Sequence, residues 1–247
     1  LRNCLSWEEL SALQRECDRS VAAARLSPDE LCSRACAIDL FEDSVLADDS
    51  EVRTDRCAYL AERWRSSEIT PEDRSIIDDV IFSKLPSFLR ASLGLGESYL
   101  FNEHYIVKPP QSDMEFGWHV DEEKQLGCLS PLEQYVTIWC PLDATTAENG
   151  TLSVKGSVYL TEATVTSGQC NISAKRQKRL AVPDQDTETE HAITAAPGDL
   201  VVFSSQLLHC SGPNHSVTPR RVFYVQYSPV PIGGNTYPLS FAVKTNT

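Results

Sequence analysis

The chain has 247 residues, of which 41% are hydrophobic and 23% charged, and its formal net charge is −13. This composition suffices for a buried core, and the acidic balance disfavours nucleic acid or an anionic membrane as the principal partner. No stretch approaches the length of uninterrupted apolar sequence that a membrane span needs.

The nine cysteines show no CxxC pair and no zinc-ligand spacing, and their number is odd. We therefore expect free thiols buried as small hydrophobic side chains, in a protein of a reducing intracellular compartment such as the cytoplasm or an organelle. The chain begins at Leu1 rather than Met. A targeting segment upstream of Leu1 is therefore left open, as is the oligomeric state.

The first hundred residues carry repeated helix-start signals. These are a capping box at Ser6–Glu9, and Ser27–Pro28 and Thr70–Pro71, each with proline at the first helical position. Pro86 is expected to interrupt the third helix, and Gly94 to end a further short one. Residues 1–98 are therefore predicted to form a mainly helical support.

From about Tyr99 the sequence changes to short runs rich in Val, Ile, Tyr, Phe and Trp, separated by Gly, Pro and Asn turns. The predicted strands are Tyr99–Val107, Gln134–Cys140, Thr151–Val154, Asp199–Phe203 and Arg221–Tyr227. Short strands after a block of helices predict a mainly β fold, a double-stranded β-helix or jelly roll, over residues 99–247. We expect residues 1–247 to form one domain.

Two histidines and an aspartate form a candidate metal-ligand set. His119 and Asp121 are two residues apart, so on an extended strand both side chains face the same side. With a distant histidine they match the 2-His-1-carboxylate set that holds non-haem Fe(II) and leaves coordination positions open. We prefer His209 as the third ligand because it follows an apolar run, with His215 as the alternative. His191 and His215 are otherwise interpreted as ordinary surface histidines.

An arginine follows the distal histidine after eleven residues (220 − 209 = 11). The planar guanidinium of arginine pairs with a carboxylate through two parallel hydrogen bonds. The spacing selects Arg220 as a carboxylate clamp, with Arg221 as the alternative.

Residues from about Tyr99 to Tyr227 resemble the phytanoyl-CoA dioxygenase family, a branch of the Fe(II)/2-oxoglutarate oxygenases. The matching stretches are Tyr105–Pro110, Trp118–Asp121, Val136–Asp143, Glu148–Leu152, Pro197–Phe203 and His209–Asn214, closed by Arg220. Their number, order and spacing make the resemblance specific for the family and leave the substrate open.

The resemblance implies Fe(II) as the metal, 2-oxoglutarate and O₂ as cosubstrates, and stimulation by ascorbate. The implied reaction oxidises a C–H bond of a small organic molecule, most simply by hydroxylation, and releases succinate and CO₂. Asp121 favours hydroxylation over halogenation, because halogenating relatives lack this carboxylate. Desaturation and ring closure stay open. The alternatives are a non-catalytic jelly roll that binds a ligand or metal, and an oxygenase acting on a protein side chain.

Family matching also assigns residues to the cosubstrate. Arg220 and Ser211 would bind the far carboxylate of 2-oxoglutarate, and Trp139 and His104 would line its pocket, although a core position is equally open for Trp139. Thr137 shares the face of Trp139 by period two and is a further candidate hydrogen-bond donor.

Two polar stretches, Glu122–Glu133 and Thr164–His191, are expected to be irregular and longer than ordinary turns. We predict that they frame the substrate entrance, with plain solvated loops as the alternative.

Overall fold

The computed structural model describes residues 1–40, 56–65, 68–95, 98–121, 135–155, 158–160, 163–166, 169–172, 178–180, 190–230 and 241–243. The predicted stretch Glu122–Glu133 lies outside these residues. No helix within them is long and apolar enough to cross a membrane.

The helices lie in the N-terminal part of the chain, as the cap signals predict. They are α1 (Trp7–Ala24), α2 (Pro28–Ser33), α3 (Arg56–Arg63), α4 (Pro71–Asp79) and α5 (Leu85–Leu93), with a π-helix (Val80–Lys84) between α4 and α5. Ser6 and Ser27 form complete capping boxes, and the Thr70 side chain accepts from the amide of Asp73. These side chains occupy amide donors that a helix start otherwise leaves unpaired. Gly94 ends α5 in the left-handed conformation, at φ 69°.

Pro86 does not interrupt the helical run, which corrects the expectation from the sequence. The chain passes from α4 through the π-helix directly into α5, where Pro86 occupies the first turn. Proline has no N–H to donate and its ring crowds the carbonyl of the preceding turn, and the wider π turn directly before α5 accommodates Pro86 without a break in the helical run.

The strands form two main antiparallel sheets. One has six strands in the order β1-β2-β13-β4-β11, with β14 also paired to β2, and the other has four in the order β10-β5-β12-β3. The bounds in the first sheet are β1 (Ala37–Asp39), β2 (Ser98–Lys108), β4 (Val136–Pro141), β11 (Val201–Ser204), β13 (Arg220–Ser228) and β14 (Phe241–Val243). Those in the second are β3 (Phe116–His119), β5 (Leu152–Lys155), β10 (Glu190–Ala192) and β12 (His209–Ser211). The architecture is a jelly roll with helices on one side, as predicted.

The segment Thr164–His191, expected to be irregular, contains strands. Two further pairs are β6 (Val158–Leu160) with β9 (Lys178–Leu180), and β7 (Ala163–Thr166) with β8 (Gln169–Ile172). The β-branched residues of this segment support strand pairing despite its charges. Its role at a substrate entrance stays a prediction.

The alternation along β13 separates the two faces of the larger sheet. Phe223, Val225 and Tyr227 belong to the main hydrophobic cluster, which they share with the helices. Val222 and Tyr224 belong to a second, smaller cluster on the opposite face, toward the four-stranded sheet. Because side chains alternate along a strand, one strand serves both the helical support and the jelly-roll interior.

A buried ionic cluster joins the helices to the larger sheet. Arg63 of α3 donates to Glu16 of α1 and to Glu103 of β2, with contacts of 2.7 Å to each carboxylate. Tyr59 and Tyr105 donate to the same carboxylates. All three charged residues are buried, so each depends on its partners for the solvation that water would supply.

Several cysteines lie in the core as free thiols, among them Cys4, Cys17, Cys36 and Cys140. Burial raises the pKa of the Cys17 and Cys140 thiols well above the ordinary value. These side chains therefore stay protonated and pack as small apolar groups.

Candidate metal centre

The structure brings His119, Asp121 and His209 together at one end of the jelly-roll interior. His119 ends β3, His209 begins β12, and the two are directly opposite in the antiparallel pair, which places both side chains on one face. Asp121 follows β3 by two residues, and its Oδ1 lies 3.6 Å from His209 Nε2 and 3.9 Å from His119 Nε2. One ligand atom from each of the three residues lies within 4.8 Å of the others, close enough to bind one metal ion.

The two imidazoles are oriented by backbone carbonyls. His119 Nδ1 lies 2.7 Å from the carbonyl oxygen of Gly117, and His209 Nδ1 lies 2.8 Å from that of Leu207. A carbonyl only accepts, so each Nδ1 carries a proton, and Nε2 is the nitrogen of each neutral imidazole that can bind a metal. Such contacts fix the tautomer and ring orientation of metal-binding histidines.

Asp121 is held on its far side by hydroxyl groups. Its Oδ2 accepts from Thr137 Oγ1 and Tyr224 OH, each at 2.7 Å. Oδ1 is thereby left facing the imidazoles. Thr137, expected beside the cosubstrate, has its hydroxyl on Asp121, and Tyr224 was not singled out from the sequence.

Arg220 lies in the interior, and its guanidinium is only partly satisfied. It is 1% exposed, and its Nη2 donates to Ser211 Oγ at 3.2 Å and to the Gly150 carbonyl at 3.0 Å. Nε and Nη1 are buried and have no hydrogen-bond partner within the described ranges. Burial lowers the pKa of Arg220 to about 10, and the group stays charged at neutral pH. A buried cation with donor nitrogens that have no partner in the described part of the chain favours an anionic ligand.

The Arg221 side chain lies on the face of β13 opposite to that of Arg220, outside the interior. It pairs with Asp143, at 2.7 Å from Nη2 to Oδ1, and with Asp18 of α1, at 2.7 Å from Nη1. These carboxylates raise the pKa of its guanidinium. The alternation of β13 thus places Arg220 in the interior and Arg221 on the outer face.

Lys108 is a buried cation that the sequence analysis missed. It is directly opposite Arg220 in the pairing of β2 with β13, is 0% exposed, and donates to the carbonyls of Ser211, at 2.9 Å, and Gly212. Burial, and then the charge of Arg220, lower its pKa to about 7. The signal was present: Lys108 is four residues from His104, so period two puts both on one face.

The other cosubstrate candidates lie on the interior face between the triad and Arg220. Trp139 is 3% exposed and packs in the interior cluster, with the Arg220 guanidinium 5.5 Å from its ring centroid. His104 stacks on Tyr224 with ring centroids 4.8 Å apart. Burial lowers the pKa of His104 to about 4, so its imidazole is neutral at pH 7.

Gly150 allows two backbone segments, at Gly150 and Gly212, to approach each other closely beside Arg220. Its φ is 72°, and a Cβ at this position would lie 2.2 Å from the Gly212 carbonyl oxygen. Its carbonyl accepts from both Ser211 Oγ, at 2.8 Å, and Arg220. Only glycine combines this φ with this contact.

The remaining histidines separate clearly. His215 is exposed. It does not belong to the group of potential metal ligands found among the described residues. His191, expected at the surface, lies on β10 opposite Val154, which is itself opposite His209. Its side chain therefore faces the same way as His209, and its Nε2 is buried with no hydrogen-bond partner within the part of the chain described.

Comparisons with known proteins agree with this geometry. A curated relative, an ectoine dioxygenase of Sphingopyxis alaskensis, is 29% identical over 159 residues, 60% of this chain and 52% of the relative. The chain thus matches about half the length of that relative.

Two solved structures resemble the fold at low identity. The carbocyclase SnoK from nogalamycin biosynthesis, described as non-heme and alpha-ketoglutarate dependent, has a TM-score of 0.56 at 15% identity, covering 96% of this chain and 81% of SnoK. EctD from S. alaskensis, solved with 2-oxoglutarate and 5-hydroxyectoine, has a TM-score of 0.51 at 18% identity, covering 92% of this chain and 70% of EctD. At these identities the likeness concerns the fold.

A sequence profile of the phytanoyl-CoA dioxygenase (PhyH) family matches residues 1–222, most of the chain. His119, Asp121, His209 and Arg220 all lie within the matched residues. The chain belongs to the phytanoyl-CoA dioxygenase family.

Proposed function

We propose that the protein is an Fe(II)- and 2-oxoglutarate-dependent dioxygenase that hydroxylates a C–H bond of a small organic molecule. In this proposal residues 1–247 act as one oxygenase domain, in which the helices support the jelly roll. Succinate and CO₂ are the coproducts. The observation that carries the proposal is buried Arg220, whose Nε and Nη1 have no hydrogen-bond partner among the described residues, in the same interior as the His119, Asp121 and His209 triad.

The triad supplies the iron site. Two imidazoles with fixed Nε2 lone pairs and one carboxylate neutralise part of the charge of a divalent cation, and one-sided binding leaves coordination positions open. The proximity of the three ligand atoms supports this role. Three protein ligands are one fewer than a closed structural metal site uses.

The far end of the interior supplies the cosubstrate site. Buried Arg220 offers a guanidinium whose Nη1 has no partner within the described residues to the distal carboxylate of 2-oxoglutarate, and the Ser211 hydroxyl lies beside its Nη2. The Lys108 amine lies next to Arg220 and adds a second positive charge when it is protonated. Two buried cations without a carboxylate partner within the described ranges favour a dianionic acid over a neutral ligand.

Iron bound at the triad would supply activation of O₂ coupled to the oxidative decarboxylation of 2-oxoglutarate. The chain's own residues orient and enclose the reactants. Trp139 and Val222 exclude water from the wall beside Arg220, where both are buried. Exclusion of water strengthens the charge pairing at Arg220.

A small organic substrate is supported by the curated relative, whose name refers to a small organic compound. Oxidation of a protein side chain is the second candidate for the substrate class. A non-catalytic jelly roll is disfavoured because the interior holds both a potential metal-ligand triad and a buried guanidinium with two nitrogens that have no hydrogen-bond partner in the described ranges.

Turnover is tested with purified protein, Fe(II), ascorbate and 2-oxoglutarate, incubated with a pool of small metabolites. We expect succinate to form and one metabolite to gain the mass of one oxygen atom, with both signals lost in the Asp121→Ala variant. Failure of the wild type to form succinate under any of these conditions would refute the oxygenase proposal. Succinate formation that depends on added protein, and not on metabolites, would favour a protein substrate.

A further inference from the structure

The two oxygens of Asp121 have different surroundings. Oδ1 faces the imidazoles of His119 and His209. Oδ2 accepts from Thr137 and Tyr224 at 2.7 Å each and has Gln226 Nε2 at 3.3 Å. The carboxylate is 7% exposed, so few competing contacts with water exist on the Oδ2 side.

The direction of these hydrogen bonds is set by an amide. Gln226 Nε2 lies 3.1 Å from Thr137 Oγ1 and 2.9 Å from Tyr224 OH. An amide nitrogen donates only, so both hydroxyl oxygens accept from Gln226. Each hydroxyl has one proton, and each proton is then directed to Asp121. The two hydroxyls are 3.5 Å apart, a poor distance for a bond between them.

A second amide fixes the orientation of Gln226. Asn102 Nδ2 donates to Gln226 Oε1 at 2.9 Å, which turns the Gln226 amino group toward the hydroxyls. Asn102 is directly opposite Gln226, which is directly opposite Thr137, across β2, β13 and β4. The sheet register therefore holds the network in place. Gln226 and Thr137 are both 0% exposed, and a low-dielectric interior strengthens such chains of hydrogen bonds.

We propose that Asn102, Gln226, Thr137 and Tyr224 form an amide–hydroxyl relay that makes Asp121 a one-oxygen metal ligand. The relay occupies Oδ2 with donors, so only Oδ1 is left for the metal. A carboxylate free to rotate would chelate with both oxygens and fill a coordination position that 2-oxoglutarate or O₂ requires. None of the four residues contacts the metal in this arrangement, so all are positioning residues. The inference rests on the proposed metal site.

The relay is tested by titrating Co(II), a probe for Fe(II), into metal-free protein under argon. Thr137→Val keeps the shape and removes a donor, and Gln226→Leu removes the amide that directs both hydroxyls. Loss of such supporting contacts typically weakens metal binding by about 10- to 100-fold. We expect an increase of this order in the Co(II) dissociation constant for both variants. We also expect weaker Co(II) ligand-field absorption, because its intensity falls as coordination number rises.

Two controls separate the relay from general destabilisation. Thr145 is also 0% exposed, and its hydroxyl donates to the Ala195 carbonyl, away from the triad. Thr145→Val should leave both the Co(II) affinity and the spectrum as in the wild type. Thr137→Ser, which keeps the hydroxyl, should restore most of the affinity lost in Thr137→Val.

The outcomes distinguish the relay from the metal site. If the wild type binds Co(II) and His209→Ala does not, the metal site stands. Wild-type affinity and spectrum in Thr137→Val and Gln226→Leu would then overturn the relay alone. If Thr137→Val does not fold, Tyr224→Phe provides the same test, since it removes only one hydroxyl. A wild-type protein without Co(II) binding would overturn both the relay and the metal site.

Discussion

Arg220 and Arg221 show that two adjacent residues of a strand lie in different environments, because their side chains lie on opposite faces of the sheet. Arg220 and Arg221 have the same side chain, but Arg220 is buried in the interior, where its Nε and Nη1 find no partner among the described residues, whereas Arg221 pairs with Asp143 and Asp18 on the outer face. The spacing from His209 favoured Arg220, and alternation along β13 gives the physical reason.

Arg220→Ala is expected to weaken 2-oxoglutarate binding strongly, because a buried carboxylate would lose its charged partner. Truncation of such a pair typically costs about 2–5 kcal/mol, roughly 30-fold or more in the dissociation constant. Calorimetry with the iron-loaded protein under argon measures this constant. Arg221→Ala is the matched control and should change the stability more than the affinity. The reverse ranking would move the clamp to Arg221.

Lys108 is expected to take up a proton when 2-oxoglutarate binds. Its pKa in the ligand-free protein is about 7, below the ordinary value, so above pH 7 the amine is largely neutral. A carboxylate beside it favours the charged form and raises the pKa. At about pH 8 the complex then holds more protons than the separate partners.

Binding enthalpies in two buffers of different ionisation enthalpy measure this uptake. The difference should disappear in Lys108→Met, which keeps the length of the side chain without the amine. Equal binding enthalpies in both buffers for the wild type would show that Lys108 takes up no proton when 2-oxoglutarate binds.

The helices and strands with strong local sequence signals were predictable. Those that depend on contacts between distant parts of the chain were not. The caps at Ser6, Ser27 and Thr70 and the alternating strand β13 follow from neighbouring residues. β1 has only three residues and is stabilised by its pairing with β2. The local sequence contains no pattern that predicts this pairing. The π-helix before Pro86 likewise depends on how α4 and α5 pack.

Gly150→Ala should disturb the short connection that holds the clamp. The new Cβ would meet the Gly212 carbonyl oxygen, and the backbone would also be strained at φ 72°. We expect a loss of about 1–3 kcal/mol in the free energy of unfolding, together with weaker 2-oxoglutarate binding. Denaturant unfolding and calorimetry measure the two effects.

Gly94→Ala is the control, since Gly94 has a similar φ of 69° and open space around it. It should lower stability without affecting 2-oxoglutarate. Equal behaviour of the two variants would mean that crowding at Gly150 is unimportant.

The contact between the helices and the larger sheet depends on the Arg63 cluster. Arg63→Met removes the cation and leaves the carboxylates of Glu16 and Glu103 buried together. Breaking a buried pair in this way typically costs about 3–5 kcal/mol. We expect a loss of this order in denaturant unfolding, compared with little change in Arg65→Met, whose side chain is 70% exposed. Similar stability of the two variants would show that the cluster is dispensable.

Across the entire fold, the sequence predicted which residues the interior brings together but not the contacts that orient them. The jelly roll and the proximity of His119, Asp121 and His209 were predictable from strand signals and motif spacing. Lys108 and Gln226 were not, because their significance depends on which residues lie opposite them in β13, β2 and β4. Sheet register joins residues far apart in the chain, and a local pattern contains no such information.

The central claim is that one interior holds Fe(II) at the triad and 2-oxoglutarate between the triad and Arg220. Chelation of Fe(II) by a 2-oxo acid produces a visible charge-transfer absorption band, so the most direct measurement is the spectrum of the Fe(II)-loaded protein under argon as 2-oxoglutarate is added. We expect an absorption band that saturates with 2-oxoglutarate and does not form with glutarate. Arg220→Ala should need a higher 2-oxoglutarate concentration for the same band, and His209→Ala should show no band. A wild-type protein that retains Fe(II) but develops no band, or a band of full intensity in His209→Ala, would contradict the central claim.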